Sequence, residues 1–91
     1  METLVRLLKD PEPQVRSAAA RATGEVGHWP TAGAVAALLR DPSWEVRREA
    51  GVALRALGAP GNLLLRRSLS DPNPEAIDIA RLVLDLPNPV G

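Results

Sequence analysis

Acidic and basic side chains recur at fixed spacing along the chain, and they are the residues that could do chemistry. Three aspartates stand 31 and 30 residues apart and each is followed by proline: Asp10, Asp41 and Asp71. An arginine follows the first two by six residues, at Arg16 and Arg47. An aspartate beside an arginine could support acid–base catalysis, but a catalytic pair belongs to a single site, whereas this pair recurs with a fixed period. We therefore predict that these five residues have a structural role.

Other arrangements that could carry chemistry are incomplete. His28 is the only histidine and cysteine is absent, so the usual nitrogen and sulfur ligands of a metal site cannot be assembled. Glu45 and Glu49 share a helix face, but flanking arginines favour a solvated charge network over a catalytic pair. The sequence shows no catalytic triad, phosphate-binding glycine loop or dinucleotide fingerprint. It predicts a protein that is not an enzyme and binds no cofactor.

The charge pattern bears on the class of partner. Eleven basic and eleven acidic side chains give a net charge of zero, and no part of the chain has the positive excess that phosphate binding needs. The longest uncharged stretch, residues 26–39, is broken by glycine and proline. The sequence shows no signal peptide and no disulfide framework. We expect a cytoplasmic protein with neither nucleic acid nor membrane as its partner.

A repeated helical hairpin must position these residues, because a period near 30 residues is typical of solenoids. Proline disfavours helical geometry in the residue before it, so each Asp-Pro pair separates two helices. We predict helices over roughly 2–9, 13–25, 32–40, 44–57, 62–70 and 74–86. Gly27, Gly58 and Asn88 come after the second helices and suit a left-handed cap. Gly24 and Gly61 are interpreted as further helix stops.

The second helices carry a buried stripe at +5, +9, +12, +13 and +16 from each aspartate, a spacing that keeps one helix face apolar. These positions hold Val15, Ala19, Ala22, Thr23 and Val26 in the first copy, and Val46, Ala50, Ala53, Leu54 and Leu57 in the second. Small residues there let neighbouring hairpins stack closely. We predict a single domain over 1–91, with repeats at about 1–29, 30–60 and 61–88 and a tail at 89–91.

The second copy has the pattern L-L-x-D-P-x-x-x-V-R-x-x-A-x-x-A-L-x-x-L-G and resembles HEAT repeats, in particular the short HEAT-like repeats first named from phycobilisome (bilin) lyases. The resemblance implies an all-α, right-handed solenoid of six helices, with the second helices on the concave side. It also implies that the turn aspartates and the arginines form a ladder between repeats: Asp10, Asp41 and Asp71 with Arg16 and Arg47. Ile77 departs from this pattern, because it stands where the third arginine would be.

Such a fold implies a non-catalytic interaction or scaffold module that binds a protein partner. The candidate partner surface comprises Trp44, Arg48, Val52, Arg55 and Arg21. Trp44 is the stronger aromatic anchor, because proline holds its place in the other copies, whereas Trp29 lies in a loop. Two alternatives remain: an accessory subunit or lyase-like chaperone for a chromophore or enzyme, and a structural homo-oligomer or fragment of a longer array.

The last helix is apolar on nearly every side, which predicts burial on more than one face. Ile77, Ile79, Leu82 and Leu86 occupy positions that are mostly charged or small in the earlier copies. We expect these residues to be covered by another copy of the chain, in a homodimer through the third repeat; the alternatives are the tail and ordinary burial in the core.

Overall fold

The computed structural model describes residues 2–87, which form six α-helices joined in three hairpins. The first hairpin consists of α1, Glu2–Leu7, and α2, Pro13–Val26. The second consists of α3, Ala32–Ala37, and α4, Trp44–Ala56; the third consists of α5, Ala59–Ser68, and α6, Pro74–Leu84. Two 3-10 turns, Trp29–Thr31 and Leu38–Arg40, extend α3 at its ends. The predicted all-α fold of six helices is confirmed, with ends within a few residues of those expected.

The Asp-Pro turns begin the second helices in the same way in all three hairpins. Each aspartate accepts a hydrogen bond from the backbone N–H two residues later, which satisfies a donor that the turn would leave unpaired. The three bonds are Glu12 N to Asp10 Oδ1 at 2.9 Å, Ser43 N to Asp41 Oδ2 at 2.9 Å, and Asn73 N to Asp71 Oδ1 at 2.8 Å. The periodic aspartate therefore fixes where each second helix starts.

The six helices lie in two layers. The second helices α2, α4 and α6 lie side by side in one layer, while α3 and α5 are neighbours in the other and α1 packs on α2. The smallest dimension of the molecule, 18 Å, matches two helices of about 10 Å each. Helix α4 is central, because it packs against α2, α3, α5 and α6. Large side chains fully buried in the core include Leu8, Leu39, Val46, Leu54, Leu65 and Ile79.

Glycine allows the closest approaches between helices. A Cβ added at Gly24 would lie 2.9 Å from the Ala53 Cα, and one at Gly51 would lie 2.6 Å from a Val83 methyl carbon. Gly24 and Gly61 lie within α2 and α5, so their interpretation as helix stops was wrong. They are glycines because another helix leaves no room for a side chain.

The predicted stripe is buried in the second helix of the second hairpin but is incomplete in the first. Val26 is 68 % exposed, whereas its counterpart Leu57 is half-buried and packs against the core. Gly27 and Gly58 both have a positive φ, of 75° and 78°. The two positions differ because α5 begins at Ala59, directly after Gly58, whereas the turn Trp29–Thr31 separates Gly27 from α3. Asn88 and the tail lie outside the described residues. No helix within residues 2–87 has the length and apolar character to span a membrane.

The glycine packing predicts opposite effects for two identical substitutions. Gly61→Ala would place a methyl group 1.6 Å from the Leu54 carbonyl oxygen, a backbone atom that cannot turn aside. We expect the free energy of unfolding, measured by urea titration, to fall by about 3 kcal/mol or more. Gly33→Ala meets nothing within 4 Å and should raise it by up to about 1 kcal/mol. Equal effects at the two positions would contradict this account of the packing.

Candidate interaction surface and inter-hairpin contacts

An ion pair between a partly buried arginine and a buried aspartate joins the first and second hairpins. The Arg16 side chain donates from Nε to Asp41 Oδ1 at 2.7 Å and from Nη2 to Asp41 Oδ2 at 3.1 Å. Its third nitrogen, Nη1, donates to the backbone oxygens of Asp10 at 2.7 Å and Pro11 at 3.0 Å. The hydrogen bond to Asp41 is the main reason that the pKa of Arg16 is raised. Arg16 thus clamps its own turn and the next turn together.

The second junction uses different residues. Arg47 clamps its own turn as Arg16 does, donating to the Asp41 and Pro42 oxygens at 2.7 and 3.1 Å. Its acidic neighbour, however, is Glu75 at 3.4 Å, while Asp71 accepts two hydrogen bonds from Arg40. The structure therefore brings Arg16 and Asp41 together, as the ladder implied. It does not bring Arg47 to Asp71, because Arg47 pairs with Glu75.

Arg40 takes the place that the ladder pattern assigned to Arg47. It ends the 3-10 turn after α3, and its Nε lies 3.0 Å from Asp71 Oδ2. This hydrogen bond is the main reason that the pKa of Asp71 is lowered, and the hydrogen bond from the Asn73 N–H is the second. The sequence signal for this pairing is the residue just before each Asp-Pro pair, which is Lys9, Arg40 and Ser70 in the three copies.

The predicted partner residues divide into exposed and structural ones. Arg21, Arg48 and Val52 are exposed, and the two arginines both contact Glu49, at 3.5 and 3.2 Å. Arg55 is half-buried and donates to the Val83 carbonyl oxygen at 2.7 Å. It therefore links α4 to the last turn of α6. The C-terminal end of a helix carries a partial negative charge, which favours an arginine at this place.

Both tryptophans are exposed, but they differ in their contacts. Trp44 begins α4 and is 51 % exposed, and the Arg47 guanidinium carbon lies 5.8 Å from the centre of its ring. Trp29 is 64 % exposed in the turn before α3, where His28 Nδ1 lies 3.1 Å from the Thr31 hydroxyl oxygen. Within residues 2–87 there is no cluster of three or more His, Cys, Asp or Glu residues that could hold a metal ion.

A groove runs between α2 and α4 on the exposed face of the second helices. Its floor consists of small residues and its sides carry charge. The lining residues are Arg21, Gly24, Glu25, Glu49, Val52, Ala53 and Ala56. The close approach of α2 and α4 at Gly24 keeps the floor free of large side chains.

This exposed face changes character from one hairpin to the next. The position eleven residues after each aspartate holds Arg21, Val52 and Leu82. The position fifteen residues after it holds Glu25, Ala56 and Leu86. These six positions are exposed and lie on the second helices, except that Leu86 follows the end of α6, so this face is charged at the first hairpin and apolar at the third. We call it the second-helix face.

The residues predicted for self-association do not form one patch. Ile79 is 1 % exposed, so including it in an interface was wrong: it fills the core space that Gly51 leaves open, beside Val83. Ile77 is half-buried. Leu82 and Leu86 remain exposed, at 47 % and 41 %, and they belong to the second-helix face.

The Arg16–Asp41 ion pair predicts unequal roles for the equivalent aspartates. Asp41→Asn keeps an acceptor for the Ser43 N–H but removes the charge that faces Arg16. We expect it to lower the free energy of unfolding by about 2–4 kcal/mol, because it leaves a largely buried guanidinium without its counter-charge. Asp10→Asn keeps the Glu12 bond and disturbs no ion pair within residues 2–87, so it should cost less than about 0.5 kcal/mol. Urea titrations of both variants would measure the difference, and equal losses would refute it.

Comparison with known proteins agrees with the repeated geometry of the hairpins. Among curated proteins, no sequence matches the chain. A family model described as HEAT repeats matches residues 1–85, which includes all six helices. HEAT-repeat proteins generally mediate protein–protein interaction or scaffolding. The chain therefore belongs to the HEAT-repeat family.

Proposed function

We propose that the protein is a non-catalytic interaction module that binds a protein segment along its second-helix face. The observation that carries this proposal is the groove between α2 and α4, whose lining residue Val52 holds the repeat position that the exposed Leu82 holds in the third hairpin. Its small-residue floor admits a chain closely, and its charged sides offer Arg21 and Glu49 for hydrogen bonding. We propose no enzymatic activity, cofactor, nucleic acid or membrane partner.

The charge pattern of this face favours a segment that is polar at one end and apolar at the other. Arg21 and Arg48 both contact Glu49, so a partner must exchange these ion pairs for its own. Such exposed pairs are weak and are readily replaced. Val52, Leu82 and Leu86 supply apolar area that water otherwise covers, and this burial would contribute most of the affinity.

Two alternatives remain, one from the resemblance to the short repeats of phycobilisome (bilin) lyases and one from the apolar last helix, where a solenoid cap would be polar. An accessory subunit or chaperone for a chromophore would need a pocket that encloses a large conjugated ligand, whereas no aromatic side chain of residues 2–87 lines the groove between α2 and α4. A fragment of a longer array would use the same second-helix face over more repeats.

Binding at the second-helix face predicts a selective effect of one exposed valine. A displayed library of random 16-residue peptides should yield binders to the wild-type chain, and Val52→Asp should weaken them at least about tenfold by placing a charge in the groove. Val26→Asp provides the matched control, because this valine is 68 % exposed and lies outside the groove. Binders that tolerate Val52→Asp, or a selection that enriches none, would contradict the proposal.

We further propose that the chain self-associates through the apolar end of the second-helix face, at Leu82 and Leu86. The supporting observation is that these leucines are neighbours in register on one exposed face. A two-fold axis would place the same patch of both copies together, so that the leucines of one copy are buried against those of the other, and a bound segment would have to compete with the dimer for them. Ile77 lies half-buried on the same helix.

Self-association predicts that one substitution separates the copies without unfolding them. Light scattering during size-exclusion chromatography should show a dimer for the wild-type chain and a folded monomer for Leu82→Glu. Leu63→Glu, on α5 in the other layer, should remain a dimer, because that leucine is 58 % exposed away from the proposed interface. A monomeric wild-type chain over a concentration series would rule out the dimer.

A further inference from the structure

A cleft between α3 and α5 shows how one hairpin receives the next. One wall comes from α3 and the turn after it, and consists of Gly33, Ala36, Ala37 and Arg40. The opposite wall comes from α5 and its Asp-Pro turn, and it includes Asp71. Arg40 crosses the cleft and donates two hydrogen bonds to Asp71. The small residues of the first wall leave room for Arg40, which belongs to the same wall, to reach the Asp71 carboxylate on the opposite wall.

The Asp71 wall has a counterpart on the outer edge of the first hairpin. A second cleft is lined by Thr3, Arg6, Leu7, Lys9, Asp10 and Pro11. Each of these residues precedes a residue of the Asp71 wall by 61 positions: Leu64, Arg67, Ser68, Ser70, Asp71 and Pro72. The first hairpin therefore presents a wall at the equivalent positions, with the arginine, aspartate and proline in common, but no hairpin of residues 2–87 supplies the opposite wall. We call it the open edge.

Among the three turn aspartates of the described chain, Asp10 is the one whose carboxylate accepts no hydrogen bond from an arginine. Asp41 binds Arg16 and Asp71 binds Arg40, in each case an arginine from the preceding hairpin. Within residues 2–87, the Asp10 carboxylate accepts a single hydrogen bond, from the Glu12 N–H to Oδ1. Leu7 beside it is 38 % exposed. The open edge thus contains the Asp10 carboxylate, which is equivalent by the repeat to the arginine-bound carboxylates of Asp41 and Asp71. The apolar side chain of Leu7 lies beside it.

We propose that the open edge docks a helix of a partner protein that presents an arginine to Asp10. The occupied cleft defines this helix: small residues lie three, four and seven positions before the arginine, as Ala37, Ala36 and Gly33 do before Arg40. A planar guanidinium matches a carboxylate with two hydrogen bonds, so arginine suits the site better than lysine. This site is separate from the groove of the proposed function.

A second copy of the chain fits the open edge poorly. The third hairpin holds Leu63, Arg66, Arg67 and Ser70 at the positions that correspond to Gly33, Ala36, Ala37 and Arg40. Serine cannot reach the carboxylate as Arg40 does. The two arginines would also face Arg6 and Lys9 on the open edge, and like charges in contact repel. The third hairpin of a second copy is therefore a poor match for the open edge, whereas the α3-like helix of the proposed partner matches it.

A peptide copy of the known wall provides the probe. Residues 29–41, WPTAGAVAALLRD, would be synthesised with a hydrocarbon staple joining positions 34 and 38, which do not line the cleft. A fluorescent label then reports binding to the intact chain by anisotropy. We expect saturable binding that weakens at least about tenfold with Asp10→Asn, and likewise when the peptide carries Arg40→Gln.

The controls separate this site from the others. Asp78→Asn removes a carboxylate on α6, outside the open edge, and should leave the affinity unchanged. Val52→Asp should also leave the affinity for the stapled peptide unchanged, because Val52 lines the groove and not the open edge. A failure of the open-edge proposal is therefore distinguishable from a failure of the proposed groove. No saturable binding, or equal binding to wild type and Asp10→Asn, would overturn the proposal. Weakening by Asp71→Asn but not by Asp10→Asn would also overturn it, because the peptide would then be displacing α3.

Discussion

The stacking of the hairpins depends on a turn aspartate that makes two kinds of contact at once. Asp41 accepts the Ser43 N–H that begins α4 and both donors of Arg16 from the preceding hairpin. One buried carboxylate therefore sets the start of a helix and its position relative to its neighbour. Loss of the Arg16 contact would leave a charge without its counter-charge, and loss of the Ser43 contact would leave an N–H donor unpaired. Either loss costs more free energy than the Arg16–Asp41 pair itself contributes to stability.

Close helix packing explains how a chain of 91 residues forms its core without Phe or Tyr. Glycines 24, 51 and 61 bring helices together until backbone and methyl groups touch. Dispersion between such closely packed atoms replaces part of the burial that longer side chains would supply. The same contacts leave little tolerance, because an added methyl group meets backbone at Gly24 and Gly61.

Periodicity allowed the helices, their turns and most of the second-helix stripe to be predicted, because each depends on local chemistry that recurs with the repeat. The identity of contacting pairs does not follow from periodicity. Arg47 binds Glu75 and Arg40 binds Asp71, since the choice depends on which arginine the neighbouring hairpin brings nearest. Ile79 was misplaced for a related reason: a glycine on another helix, Gly51, opened the space that buries it.

The fold separates the tasks of the second helices by face. Residues that point toward the adjacent hairpin are held by packing and ion pairs, so they must match their neighbours. Those on the second-helix face, such as Arg21, Val52 and Leu82, occupy equivalent positions yet differ completely in character. A position free of packing demands can vary from repeat to repeat without disturbing the stack. A surface that changes from charged to apolar along its length can therefore be built on a periodic frame, which is the property that the proposed binding of a protein segment requires.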